Sequence, residues 1–386
     1  MRILITPWFF LTNYRYKRYT PKSKTFLVLT NHNTNWDFFL AGLVIRRRHM
    51  YFVGSEHIVR APVTGPIVRF LGDPIPRKKG ASGDEVVKLI LERLRNGSNV
   101  CMMAEGNRSF TGETCFISPR TADLVKESGV GLITVAIHGG YFVSPRWSAS
   151  NRRGKYYGEV VNEYTAEEIA GMDTEEIIRH IRSDLYINAY EDQSKLNEDY
   201  VCSSLAENLE TALFSCPECG SFSTLHSRKD VLSCSFCGNS VRFTTKGYFE
   251  PCGSSTAKFK TVLDWSAWQT DYLHERLSAL DLSSPLPIFT DEGITLSAVR
   301  SGVGAGSDRL TSGKMGLCPD RFEFSDSTSE KTVSFPVKSI QKISVLKANT
   351  MFFTSDTGYY QVNGSAKYCA LKYLIASRFL NGKEYK

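Results

Sequence analysis

A histidine and an aspartate five positions apart open the reading of this chain: His32 and Asp37, in the run Asn31-His32-Asn33-Thr34-Asn35-Trp36-Asp37. With the histidine on a loop and the aspartate in the first turns of a helix, the carboxylate can bend back to one ring nitrogen. It then fixes the tautomer and stabilises the imidazolium. The other nitrogen is left to take a proton from an alcohol. This is the base and orienter of a triad without a protein nucleophile, so a substrate hydroxyl would attack. In a chain with seven histidines such a spacing is weak alone. Its place after a strand strengthens it, because ligands bind at strand ends in α/β sheets.

Two further groups carry charge suited to a ligand. Glu105-Gly106-Asn107-Arg108-Ser109 also follows a strand-like run, and Gly72-Asp73-Pro74-Ile75-Pro76-Arg77-Lys78-Lys79-Gly80 lies between the two. A guanidinium is a fork-shaped donor that matches phosphate, and a glycine lets the backbone approach closely. Alternatives stay open: a solvated basic turn at Arg77, and a simple ion pair between Glu105 and Arg108.

A separate constellation is metallic. Cys216-x2-Cys219, fourteen residues, then Cys234-x2-Cys237 is the spacing of a zinc ribbon, with the other six of the ten cysteines scattered singly. Gly220 and Gly238 follow each pair, where a knuckle must turn tightly. Four sulfurs complete a tetrahedron and leave no open position, so structural Zn2+ is expected and His226 falls to the surface. The ribbon's purpose stays open between stapling domains, contacting an acyl carrier and binding nucleic acid.

The elements that must position these groups alternate. Residues 25–30, 50–54, 99–104 and 131–137 read as strands, and 38–48, 85–95 and 173–190 as helices, the last with Asp173 as its N-cap. Such alternation predicts an α/β layer with a mostly parallel sheet flanked by helices. Residues 259–280 form a helical patch whose Trp265 and Trp268 are expected to pack against a neighbouring domain. A Gly/Ser-rich stretch, 301–312, precedes five short strand-like runs and a closing helix over 366–380. The predicted division is 1–195, a zinc ribbon over 200–255, a helical linker over 256–285, and a C-terminal β-barrel-like module capped by a helix over 286–386.

Asn-His-x4-Asp, a Gly-x-x-aliphatic-x-Arg segment and Glu-Gly-x-Arg-Ser occur in that order over about residues 20–190. In this the chain resembles the glycerolipid acyltransferases, and most nearly the 1-acyl-sn-glycerol-3-phosphate (lysophosphatidate) acyltransferases. The resemblance implies His32 as general base with Asp37 as its partner. It implies that Arg77, Gly106 and Arg108 hold the phosphate of the acceptor, and that Glu105 takes part in acceptor binding. The donor would be acyl-CoA or an acyl-carrier protein, the acceptor a lysophospholipid, and the product a phosphatidic acid. One departure stands out: where the family usually has a proline in its fourth segment, associated with acceptor or acyl binding, this chain has Thr134. The C-terminal region resembles PH-like or GRAM-like modules by its number of strands.

Composition sets the outer bounds. The 386 residues are 42% hydrophobic and 23% charged, which excludes disorder, collagen-like repeats and a small disulfide scaffold. Residues 1–165 hold 24 Lys and Arg against 12 Asp and Glu, so the first part is far more basic than the chain's net +7 conveys. An anionic partner follows: a phosphorylated substrate, a nucleic acid or a membrane surface. No apolar run approaches the ~18–20 residues of a bilayer span. Ile3, Leu4, Ile5, Trp8, Phe9, Phe10 and Leu11, followed by Arg15, Lys17 and Arg18, suit interfacial docking instead. The expectation is a cytoplasmic enzyme, peripheral on the cytoplasmic face of a membrane, for which nucleic acid is an improbable partner. The rival class is a zinc-ribbon lipid- or nucleic-acid-binding protein with an inactive acyltransferase-like domain.

Overall fold

The computed structural model describes residues 13–46, 48–56, 65–66, 74–77, 83–281, 284–300 and 306–382. The apolar start at Ile3–Leu11 and the basic pair Lys78-Lys79 lie outside the described residues.

Three sheets organise the chain. The first takes β1 (Tyr14–Tyr16), β2 (Phe26–Thr30), β3 (Met50–Ser55), β4 (Ile75–Arg77), β5 (Asn99–Met103), β6 (Gly131–His138) and β7 (Tyr156–Tyr164) in the order β1-β7-β6-β2-β5-β3-β4. Its pairings are parallel except for β6 with β7. The mostly parallel sheet expected from the alternation is therefore present. Central β2, Phe-Leu-Val-Leu-Thr, is buried along its whole length, the pattern of a strand covered on both faces.

Helices cover that sheet. They are α1 (Asp37–Val44), α2 (Asp84–Arg95), α3 (Arg120–Ser128), α4 (Gly140–Val143), α5 (Ala166–Gly171), α6 (Thr174–Leu185) and α7 (Ala189–Leu196). On one face Leu27, Leu29, Leu91, Val125 and Ile181 share a core; on the other, Phe26, Val28, Leu40 and Val44 begin a second.

The single helix expected over 173–190 is two. Asp173 does cap α6, its Oδ1 accepting from Glu176 N at 2.7 Å. The helix stops at Leu185 because the next residues pair with the 112–114 segment. Ile187 N donates to Thr114 Oγ1 at 2.8 Å, and Thr114 N donates to Ile187 O at 2.9 Å. Asn188 then caps α7.

The second sheet is small and antiparallel: β8 (Leu225–Arg228), β9 (Val231–Cys234), β10 (Ser240–Phe243) and β11 (Phe249–Pro251), in the order β11-β10-β9-β8. The helix that follows, α8 (Val262–Ser278), buries Trp265, whose Nε1 donates to Ser215 O at 2.9 Å. Trp268 stacks on Tyr272 with ring centroids 5.3 Å apart. Trp265 thus packs against the segment before the first cysteine pair, whereas the stacking partner of Trp268 belongs to its own helix.

The third sheet comprises β12 (Phe289–Val299), β13 (Ser307–Leu317), β14 (Arg321–Asp326), β15 (Thr332–Pro336), β16 (Lys342–Leu346), β17 (Thr350–Ser355) and β18 (Gly358–Asn363), followed by α9 (Ala370–Leu380). It is antiparallel, in the order β15-β14-β13-β12-β18-β17-β16. The Gly/Ser-rich stretch hides the start of β13: Ser307–Ser312 pairs with β12 although its first residues are polar and exposed. One apolar core runs from Tyr14 through Phe214, Trp265 and Phe289 to Ala376, so all three sheets share it.

Candidate active site

The site forms where adjacent parallel strands end. Thr30 of β2 stands opposite Met103 of β5 and Val135 of β6. Asn31 prolongs this edge with its side chain, donating from Nδ2 to Ile137 O and accepting from Ile137 N, both at 2.8 Å. The loops leaving β2 and β5 therefore start side by side, and Ser109 N donates to His32 O at 3.3 Å.

The expected dyad is present. His32 Nδ1 lies 2.8 Å from Asp37 Oδ2, with the histidine side chain one-fifth exposed (20%) and the aspartate fully buried. The loop wraps around the carboxylate: Asn33 N and Thr34 N donate to Oδ2 at 2.7 and 2.8 Å, and Thr34 Oγ1 donates to Oδ1 at 2.8 Å. Burial opposes ionisation of Asp37, but donors from His32, Tyr156 and Thr34 outweigh it and hold its pKa below the ordinary value. With Nδ1 engaged by a carboxylate, Nε2 is the nitrogen that accepts a proton.

Tyr156 was not foreseen. Its buried hydroxyl donates to Asp37 Oδ1 at 2.6 Å from the start of β7, and its ring meets Tyr14 edge-on at 4.7 Å. Nothing local to residue 156 signals this partner; the place of β7 between β6 and β1 brings it there.

Glu105 is buried and serves the backbone. Oε1 accepts from His32 N at 2.6 Å and Oε2 accepts from Cys115 N, so one carboxyl ties the loops that leave β2 and β5. Burial pushes its pKa up to about 8 against the pull of those amides, and the charge of Asp37 adds to the rise. It does not pair with Arg108. That guanidinium donates from Nε to Asn33 O at 2.7 Å and from Nη2 to Ser144 O, and Nη1 reaches Asn35 Oδ1 at 3.5 Å. Arg108 thus spends its fork on the loop that carries His32.

Arg77, at the end of β4, comes to Gly106 across the edge. Gly106 has φ +68°, and a Cβ there would stand 2.8 Å from Arg77 Nη1. The guanidinium covers the bare backbone, and the positive φ explains the glycine, since the space is closed only by the movable end of a long side chain. Thr134 stands apart. Its hydroxyl donates to Asp184 Oδ2 of α6 at 2.8 Å, on the sheet face opposite α1, so it does not line the histidine's site.

Of the hydroxyl and thiol side chains on the second loop, Ser109 and Cys115 show no activation. Ser109 Oγ accepts from Gly112 N at 2.9 Å, and burial pushes the Cys115 thiol up.

The four cysteines also converge. Cys216 Sγ lies 3.7 Å from Cys237 Sγ, and Cys219 Sγ 3.8 Å from Cys234 Sγ, with all four sulfurs within 4.8 Å of one another. Metal–sulfur bonds of about 2.3 Å in a tetrahedron place sulfurs about 3.8 Å apart, so the set fits one ion. The knuckles repeat: Gly220 N donates to Cys216 O at 2.9 Å and Gly238 N to Cys234 O at 3.0 Å. Both glycines have positive φ, and His226 is exposed.

A family model described as Acyltransferase matches residues 12–138. No curated protein matches the chain in sequence. Among solved structures, the chain is similar to the 1-acyl-sn-glycerophosphate (LPA) acyltransferase PlsC from Thermotoga maritima, with 21% identity over 46% of this chain and 70% of that one and a TM-score of 0.39. It is also similar to a chain of the 8S snRNP assembly intermediate, with 11% identity over 28% of this chain and 91% of that one and a TM-score of 0.21. Neither likeness extends to function. The segment 12–138, which the Acyltransferase family model matches, holds the dyad, the Arg77–Gly106 contact and the Glu105 tie.

Proposed function

We propose that this protein moves a fatty acyl group from a thioester, acyl-CoA or acyl-carrier protein, to the free hydroxyl of a lysophospholipid. One observation carries the reading: a histidine held at 2.8 Å by a fully buried, hydrogen-bonded aspartate, beside a guanidinium laid over bare backbone. The acceptor oxygen attacks the thioester carbonyl as His32 Nε2 takes its proton. The C–O bond forms, the C–S bond breaks, and the proton passes to the departing thiolate. Arg77 and the Gly106 backbone receive the phosphate of 1-acyl-sn-glycerol-3-phosphate, and Arg108 acts on the acceptor through the loop it holds.

The dyad also weighs against the inactive, binding-only reading, since an idle domain has no need of a buried charged orienter. Zn2+ fills the cysteine cluster as a structural ion, held by Cys216, Cys219, Cys234 and Cys237. The strand order of the third sheet, with its closing helix, supports the PH-like reading of the C-terminal module. Among the described residues no helix is long and apolar enough to cross a membrane, and the basic first part supports peripheral docking on an anionic cytoplasmic face.

The test is acyl-CoA turnover with lysophosphatidate and with an uncharged monoacylglycerol. Arg77→Ala should cost about ten- to a hundredfold in kcat/KM with the phosphorylated acceptor, the worth of a charged hydrogen bond, and little with the neutral one. Equal losses with both acceptors would remove Arg77 from the phosphate, and no turnover in the unaltered protein would end the reading.

A further inference from the structure

The C-terminal sheet reaches the active-site loop through one side chain. Arg146 follows α4 and is half-buried, with its guanidinium carbon 4.1 Å over the Phe110 ring. Among the described residues it donates to three carbonyl oxygens on two sides of a seam. Nη1 donates to Arg108 O at 2.8 Å on the acyltransferase side. Nε donates to Lys347 O at 2.5 Å in the turn before β17, and Nη2 to Val345 O near the end of β16. Arg108 in turn grips Ser144 and Asn33, so the path from the turn to the His32 loop is short and wholly hydrogen-bonded.

A guanidinium is a rigid planar fork. It cannot satisfy both sides of the seam unless the two sets of carbonyls keep their spacing. Lys347 sits in the left-handed region at φ +53°, its side chain exposed, and this conformation aims its carbonyl at Arg146. We propose that Arg146 is a positioning residue through which the β16–β17 turn sets the geometry of the Arg108 loop, so that the C-terminal sheet is part of the scaffold of the acyl-transfer site. For its activity assay the proposal rests on the function argued above; the exchange measurement below does not.

Lys347 lies 201 residues from Arg146 in sequence and farther still from the 105–112 loop, which permits a remote test. Lys347→Val places a β-branched residue where φ is positive and disturbs the carbonyl without touching Arg146 or the site. Lys347→Gly adopts the same φ without strain and serves as its control. Amide hydrogen exchange over residues 105–112 is measured on the full chain, together with kcat/KM for lysophosphatidate.

Lys347→Val and Arg146→Met should each speed exchange in that loop by about tenfold or more, and lower kcat/KM by about ten- to a hundredfold. Arg146→Lys should fall between, and Lys347→Gly should match the unaltered protein. A Lys347→Val protein with unchanged exchange in residues 105–112 overturns the proposal, even if its melting temperature drops. So does a Lys347→Gly protein as impaired as Lys347→Val, because the side chain and not the carbonyl would then be at work. If the unaltered protein transfers no acyl group, the functional reading fails while the exchange data still decide the coupling.

Discussion

Asp37 accepts five hydrogen bonds, from His32, Asn33, Thr34 twice and Tyr156, and so stays ionised in a place closed to water. The dyad's strength therefore lies in what surrounds the aspartate. His32→Ala should lower kcat by ~10²–10⁴-fold, the usual contribution of a general base, with the fold intact by circular dichroism. Tyr156→Phe removes one charged hydrogen bond from the carboxylate and should lower stability by about 1.5–3 kcal/mol in denaturant titrations. A smaller fall in kcat should accompany it. Glu105 makes a pH prediction. Its folded pKa of about 8 exceeds its ordinary 4.5, so the folded state holds the extra proton between those values. Its contribution is complete below 4.5 and is lost as pH rises through 8. Melting curves of the unaltered protein and Glu105→Gln should thus differ most in slope across that window, with the variant the flatter. His32 and Asp37 were legible because one loop contains both. Tyr156 was not, since its partner is 119 residues away and only strand pairing unites them.

At the scale of elements, local patterns were readable wherever burial alone decides them. β2, β5 and β6 are apolar runs because both faces are covered, and α2 and α6 show one apolar face each. Reading failed where a distant partner decides. The helix over 173–190 breaks because Thr114 offers Ile187 two hydrogen bonds that a continuous helix would forgo. The head of β13 is polar and reads as a loop, yet β12 supplies its ladder. Thr134 is the most instructive of these positions. It replaces the usual proline of a segment that the family resemblance associates with acceptor or acyl binding, but its hydroxyl points to Asp184, which also holds Asn162 Nδ2 at 2.7 Å and Tyr164 OH at 2.9 Å. Thr134→Val should therefore cost about 1–2 kcal/mol of stability through a lost buried hydrogen bond. The ratio of kcat/KM between lysophosphatidate and monoacylglycerol should stay where it was. A changed ratio would return the residue to the substrate site.

At the scale of the molecule, the small sheet with the four cysteines is built into the core and is no appendage. Phe214 N donates to Gln269 Oε1 at 2.9 Å, and Gln269 Nε2 returns a bond to Ala212 O at 2.8 Å, so α8 clasps the segment leading to the first knuckle. From the other side Lys372 of α9 donates to Ser223 Oγ at 2.8 Å and pairs with Asp291 of β12 at 2.7 Å. Cys369 Sγ donates to Thr211 O at 3.2 Å. The segment before the first cysteine pair and the turn after it thus hold the C-terminal sheet, and that sheet holds Arg146. A structural zinc ion contributes apparent binding free energy on the order of 10 kcal/mol near neutral pH, comparable with the whole stability of a domain. Purified protein should carry about one zinc per chain by elemental analysis, and Cys216→Ser should lose it. Calorimetry of the chelated or Cys216→Ser protein should then show the major transition moved to lower temperature, because the three sheets share one core. Acyl transfer should fall with it, although no cysteine of the cluster belongs to the dyad's loops. A metal-depleted protein that melts as before and still transfers acyl groups would mean that the four thiols are held by packing alone, and the ribbon would lose its place in the scaffold.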